Sequence, residues 1–108
     1  MVPLQKRQWW ALQMVTRIIL ERDLEAYFTK QCKKHGIMSL KLNVRFARGW
    51  PDRIVPLENG KVLWVELKRP GGEVSPMQEK VHDQLKIRGH KVFVINSKEG
   101  IDGVLGTS

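Results

Sequence analysis

Leu20, Leu24, Tyr27, Phe28, Gln31 and Cys32 recur at i, i+4, i+7 and i+8, the spacing of one helix face. This predicts a helix from Leu20 to His35 that stops at Gly36. Leu40, Leu42, Val44 and Phe46 then alternate with Lys41, Asn43 and Arg45, which predicts a half-exposed strand. Arg48-Gly49-Trp50-Pro51 breaks it, Arg53 to Leu57 reads as a second strand, and Glu58-Asn59-Gly60 as a hairpin turn. Lys61 to Lys68 is a third strand, with Leu63, Val65 and Leu67 on one face and Val62, Trp64, Glu66 and Lys68 on the other. Ser75-Pro76 opens a helix with a Met77, Val81, Leu85 stripe that ends at Gly89. Lys91 to Ile95 is a final buried strand, and Ile101 to Leu105 a last helical turn. The predicted order is αβββαβ in a single α/β domain with a central mixed sheet.

Residues 1–19 stand apart from this pattern. They are basic early (Lys6, Arg7) and then apolar, but Gln13, Thr16 and Arg17 interrupt the run and no small-residue cleavage site follows. Trp9, Trp10, Leu12, Val15 and Ile19 lie roughly at helical spacing, so the segment reads as an amphipathic arm of open role, with the domain proper at residues 20–108. A chain of 108 residues is one small domain, and no apolar run reaches the ~20 residues of a membrane span. One cysteine excludes an internal disulfide framework and points to a reducing compartment, the cytoplasm of a phage or bacterial setting. Nineteen Lys and Arg against 11 acids give a net charge of +8, which favours a polyanionic partner, nucleic acid above all. Composition does not separate a binder from an enzyme.

The chemistry gathers around the predicted hairpin. Pro51-Asp52 enters the second strand and Glu66-Leu67-Lys68 closes the third. Hairpin partners pair first with last, so Asp52 comes beside Glu66, and two converging carboxylates make a hard oxygen site suited to Mg²⁺ or Mn²⁺. Lys68, on the face of Glu66, is placed to orient water or to stabilise phosphate charge. The plainer reading is a turn-capping Asp52 and a Glu66–Lys68 pair on an exposed sheet face.

Gly49-Trp50-Pro51-Asp52, Glu66-Leu67-Lys68 and Ser75-Pro76-Met77-Gln78, in this order, resemble the VRR-NUC family of the PD-(D/E)xK nuclease superfamily, over roughly Leu20 to Asn96. The resemblance implies a restriction-endonuclease-like core, metal-dependent hydrolysis of DNA, and a homodimer acting on branched DNA such as a four-way (Holliday) junction. It implies Asp52 and Glu66 as metal ligands, Lys68 as the catalytic lysine, Gln78 as an active-site helix residue, and a glutamate on the first helix. At ~100° per residue, Glu21 falls within the apolar arc of that helix and Glu25 lies ~40° further toward solvent. Glu21 is therefore the better candidate and Glu25 the reserve. Either could instead be an acid favoured by the helix dipole. Ser75 and Gln78 also form a capping box with Pro76 at the first position, a role compatible with facing the sheet.

Other residues carry less. Cys32 and His35 have a zinc-like spacing but no second pair to complete a site, and Cys32 reads as core. His82 and His90 have no evident partner. Arg45, Arg48, Arg53 and Arg69 flank the motifs; phosphate positioning, chiefly by Arg48, Arg53 and Arg69, and a solvated basic surface are both open. Trp50 could stack on a base or pack under its loop. The expectation is a nuclease with catalytic Glu21, Asp52, Glu66, Lys68 and Gln78, and an ion held by Asp52, Glu66 and the Leu67 carbonyl. The competing class is a non-catalytic basic DNA-binding module with the same fold. Trp9, Trp10 and Trp64 are the expected material of a dimer interface.

Overall fold

The computed structural model describes residues 5–43 and 45–107, apart from the side chains of residues 6, 7 and 16–19. Val44 of the expected first strand, the start of the arm and the Ile19 side chain lie outside the described residues. The elements run α1 (Lys6–Lys34), β1 (Leu40–Lys41), β2 (Arg53–Pro56), β3 (Val62–Leu67), α2 (Pro76–Ile87), β4 (Lys91–Ile95) and α3 (Lys98–Leu105). The strands form one sheet in the order β1-β2-β3-β4, antiparallel at the first two pairings and parallel between β3 and β4. The sheet is mixed, as expected, and the short final turn proves to be a two-turn helix capped by Ser97.

The first helix begins at Lys6, not Leu20. No glycine or proline falls between Lys6 and Lys34, so nothing in the backbone stops the helix where the character of its apolar stripe changes. Its 29 residues span ~43 Å, while the six residues of β3 cover only ~20 Å. One helix end therefore outruns the sheet. The radius of gyration, 16.1 Å, exceeds the ~13 Å of a compact domain of this length for the same reason. Leu24, Phe28, Gln31 and Cys32 are buried, whereas Trp10, Met14, Val15 and Leu20 are exposed.

The first strand is shorter than its alternation suggests. The Asn43 side chain accepts from the Arg45 amide at 2.9 Å, and the Asn43 carbonyl accepts from Phe46 and Ala47 at 3.1 and 3.0 Å. This local turn competes with the ladder, and Phe46 ends 90% exposed. The hairpin turn forms as read, closed by Leu57 N–H to the Lys61 carbonyl at 2.8 Å.

Strand alternation gives β3 two different faces. Leu63, Val65 and Leu67 pack with Val55, Phe93 and Ile95 against Leu24, Phe28 and Cys32 of α1 and Ile101 of α3. Asp102 ties these two helices together, accepting from Tyr27 Oη and Gln31 Nε2, both at 2.7 Å, and from Thr107 Oγ1 at 2.9 Å. The opposite face carries Trp64 and Glu66 and is covered by α2, whose His82 and Leu85 are buried. A core on one face leaves the other for chemistry.

Candidate active site

Pairing of Arg53 with Val65 and Ile54 with Trp64, continued by one residue, sets Asp52 opposite Glu66. The contact is direct: the Leu67 amide donates to Asp52 Oδ2 at 2.9 Å. The approach to Asp52 depends on Gly49, which has φ +81° and where a Cβ would lie 2.8 Å from both Cγ and the carbonyl oxygen of Met77. Only glycine lets this loop lie against the first turn of α2. Pro51, fully buried, then fixes the entry into β2.

Glu66 is 1% exposed. Its Oε1 accepts from Gln78 Nε2 at 3.1 Å and lies 3.6 Å from His82 Nε2. Gln78 both caps α2 and reaches Glu66, because one amide has two ends. Its Oε1 accepts from the Ser75 backbone N–H at 2.9 Å, its own N–H donates to Ser75 Oγ at 3.2 Å, and its Nε2 is left for Glu66. The helix cap therefore fixes the group that orients the acid.

Burial is the main cause that pushes the Glu66 carboxyl up to about 9, followed by hydrogen bonding with and repulsion from the Asp52 carboxyl; Lys68 opposes them. Two acids share a desolvated space with too little positive charge to ionise both. The Lys68 charge is felt at Glu66 and at His82. His82 was not recognisable as part of the site by a partner in sequence, yet it is 4% exposed and its Nε2 lacks a hydrogen-bond partner among the described residues. Burial first, then Lys86, holds its pKa below the ordinary value. The available signal was its position four residues after Gln78, on the same helix face.

The remaining candidates separate. Glu21 is exposed and forms no hydrogen bond or ion pair among the described residues. It lies three and seven residues before buried Leu24 and Phe28, but at that height the helix has left the sheet, as Leu20 at 37% exposure shows. Glu25 pairs with Lys41 Nζ at 3.2 Å. No cluster of three His, Cys, Asp or Glu side chains suited to a metal forms among the described residues. Arg53, expected at the surface, is buried on the α1 face with its guanidinium carbon 5.3 Å from the Phe28 ring centroid; alternation turns it away from Glu66. Arg48 is exposed, and Arg69 Nη1 donates to the Pro70 carbonyl at 3.2 Å. Trp64, half-buried, packs between Trp50, at 5.5 Å, and His90, at 5.8 Å. Cys32 is core, as read.

Paired carboxylate oxygens suit a hard divalent cation, which would relieve their mutual repulsion. This geometry sets a pH dependence. Folded Glu66 keeps its proton to a higher pH than the unfolded chain does, so stability falls as pH rises from the ordinary carboxylate range toward 9. His82, held low, contributes the opposite slope only below its ordinary value near 6.5, which leaves pH 7–9 as the clear window. Thermal melts in EDTA should show a falling Tm across that window, and Glu66→Gln should flatten it; a wild-type slope in Glu66→Gln would refute the buried-acid account.

Comparison with known proteins agrees with this geometry. Residues 6–99 match the model of the VRR-NUC domain. "Putative nuclease p44" of Acyrthosiphon pisum secondary endosymbiont phage 1 is 37% identical over 83 residues, covering 77% of this chain and 89% of that protein. A solved structure described as a VRR_NUC domain superposes with a TM-score of 0.69 at 28% identity, covering 80% of this chain and 94% of the other. The matched segment begins at residue 6 and so includes the whole of the N-terminal helix, beyond the span of the motif resemblance. The chain belongs to the VRR-NUC family of nucleases.

Proposed function

We propose that this nuclease hydrolyses DNA phosphodiester bonds with a divalent cation, Mg²⁺ or Mn²⁺, and acts as a homodimer on branched DNA. The observation that carries the chemistry is the pairing of half-buried Asp52 with buried Glu66 at the end of the β2–β3 hairpin, with Lys68 two residues after Glu66. Asp52, Glu66 and the Leu67 carbonyl would hold the ion. When bound, it supplies Lewis acidity that acidifies water and offsets charge on phosphate oxygens. Lys68 orients water or donates to a phosphate oxygen. Gln78 fixes the Glu66 carboxylate through its Nε2. Nothing in the geometry supports Glu21 beyond the resemblance, and the proposal does not rest on it.

Asp52→Ala, Glu66→Ala and Lys68→Ala should each lower cleavage by ~10² or more, while salt-sensitive DNA binding persists. Labelled linear, flapped and four-way DNA, each with Mg²⁺, Mn²⁺ or EDTA, provides the assay. Wild-type cleavage by any of the three variants would sink the assignment, and cleavage in EDTA would remove the metal.

Gln78→Glu retains an acceptor for the Ser75 amide but loses the donor to Glu66. It should keep α2 by circular dichroism and cut turnover roughly 10–100-fold. Unchanged turnover would return Gln78 to a capping role alone.

The assembly rests on the part of α1 that outruns the sheet, where Trp10 is 65% exposed and Val15 52%. A C2 dimer covers such a surface and presents two sites to the two equivalent strands of a junction. Light scattering should give twice the 12.5 kDa chain mass, with paired, symmetry-related cuts. A stable monomer that trims linear ends as readily as junctions would defeat this part and leave the chemistry standing.

A further inference from the structure

The basic residue of β2 presents an unsolved charge problem. Arg53 is 7% exposed, and among the described residues its side chain has one hydrogen bond, a long one of 3.4 Å from Nη2 to Thr29 Oγ1. Its Nε is buried without a partner, and no carboxylate pairs with it. The Phe28 ring, 5.3 Å from the guanidinium carbon, offers some compensation through its π face. That is far less than a buried cation needs, since an unpaired charge away from water is costly.

Arg53 opens into a groove of about 610 Å³ along α1, lined also by Arg22, Glu25, Thr29, Lys30 and Lys33. Four cations face one acid there, and that acid is already engaged by Lys41 at 3.2 Å. From Arg22 to Lys33 the groove follows about 16 Å of helix, room for several phosphates of one strand. We infer that this groove binds the sugar–phosphate backbone of the DNA substrate at phosphates other than the scissile one, with the buried Arg53 guanidinium as its anchor. The inference rests on the nuclease reading above for the identity of the polyanion. Charge complementarity selects the occupant: Arg53 lines the groove with a planar guanidinium that no carboxylate among the described residues pairs, a match for phosphate oxygens, and the exposed Lys30 and Lys33 add point charges at the rim. Asp52 and Arg53 are consecutive, so the strand that seats the acid pair also seats the anchor on the opposite face.

The test is binding in EDTA, which reads the groove whether or not the chain cleaves. Anisotropy of a labelled 20-base-pair duplex, titrated at several salt concentrations, compares wild type with Lys30→Ala/Lys33→Ala. The double variant should bind roughly tenfold more weakly, with a salt slope shallower by about 2. In parallel, the Arg53 Nε–H resonance, assigned by its absence in Arg53→Lys, should shift on adding the same duplex. Inorganic phosphate at millimolar concentration is the control. Equal affinity and slope in the double variant would overturn the inference, as would a response to inorganic phosphate with none to DNA. Should Arg53→Lys fail to fold, the double variant alters only exposed side chains and still decides the outcome. A wild type that binds DNA through the groove but cuts nothing in Mg²⁺ would refute the nuclease reading and leave the groove standing.

Discussion

The structure depends on one constraint, a carboxyl that is 1% exposed at the end of a central strand. A buried acid must be neutralised, hydrogen-bonded or matched to a cation. Several local features answer that requirement at Glu66. The hairpin register brings Asp52 opposite, Gly49 admits the Asp52 loop to the side of α2, and Ser75 fixes the turn from which Gln78 reaches across. These groups orient Glu66, and burial together with the second acid neutralises it, because both raise its affinity for a proton.

Two-residue periodicity explains how so small a domain holds both a core and a site. Val65 and Leu67 go to the α1 and α3 side while Glu66 goes to the α2 side. A slip of one residue would exchange the faces, burying Glu66 among Phe28 and Ile101. The same strand therefore specifies its own register: the cost of an acid in that core excludes the alternative.

The strands, α2 and the acid pair were legible in sequence because each has a short-range signature: alternation, a capping box, or a hairpin that pairs last with first. What escaped is set by tertiary distance. The extent of α1 follows from the lack of a breaker, which is visible, but whether its face is covered depends on how far the sheet reaches. That is why Glu21, at helical spacing from buried Leu24 and Phe28, is itself exposed. β1 was overread because Asn43 closes a local turn, a competition alternation does not register. His82 was missed because its significance is its proximity to Glu66, and its spacing of four from Gln78 carries weight only once Gln78 is seen to reach that acid.

Arg53 was legible as basic but not as buried, and the reason links the two halves of the molecule. It precedes the strand position paired with Trp64 and faces Val65, while Glu66, one residue further along β3, faces the other way. A cation and an acid on adjacent strands would ordinarily neutralise one another at such short separation. Strand alternation keeps them apart, with the sheet between. The guanidinium is left with its charge incompletely met on the α1 side, and the Glu66 carboxyl on the α2 side holds its proton well above the ordinary carboxylate range. A buried cation and a buried acid on the two faces of one strand end are a poor solution for stability alone; the alternation that separates them is what gives each face of the sheet its own chemistry.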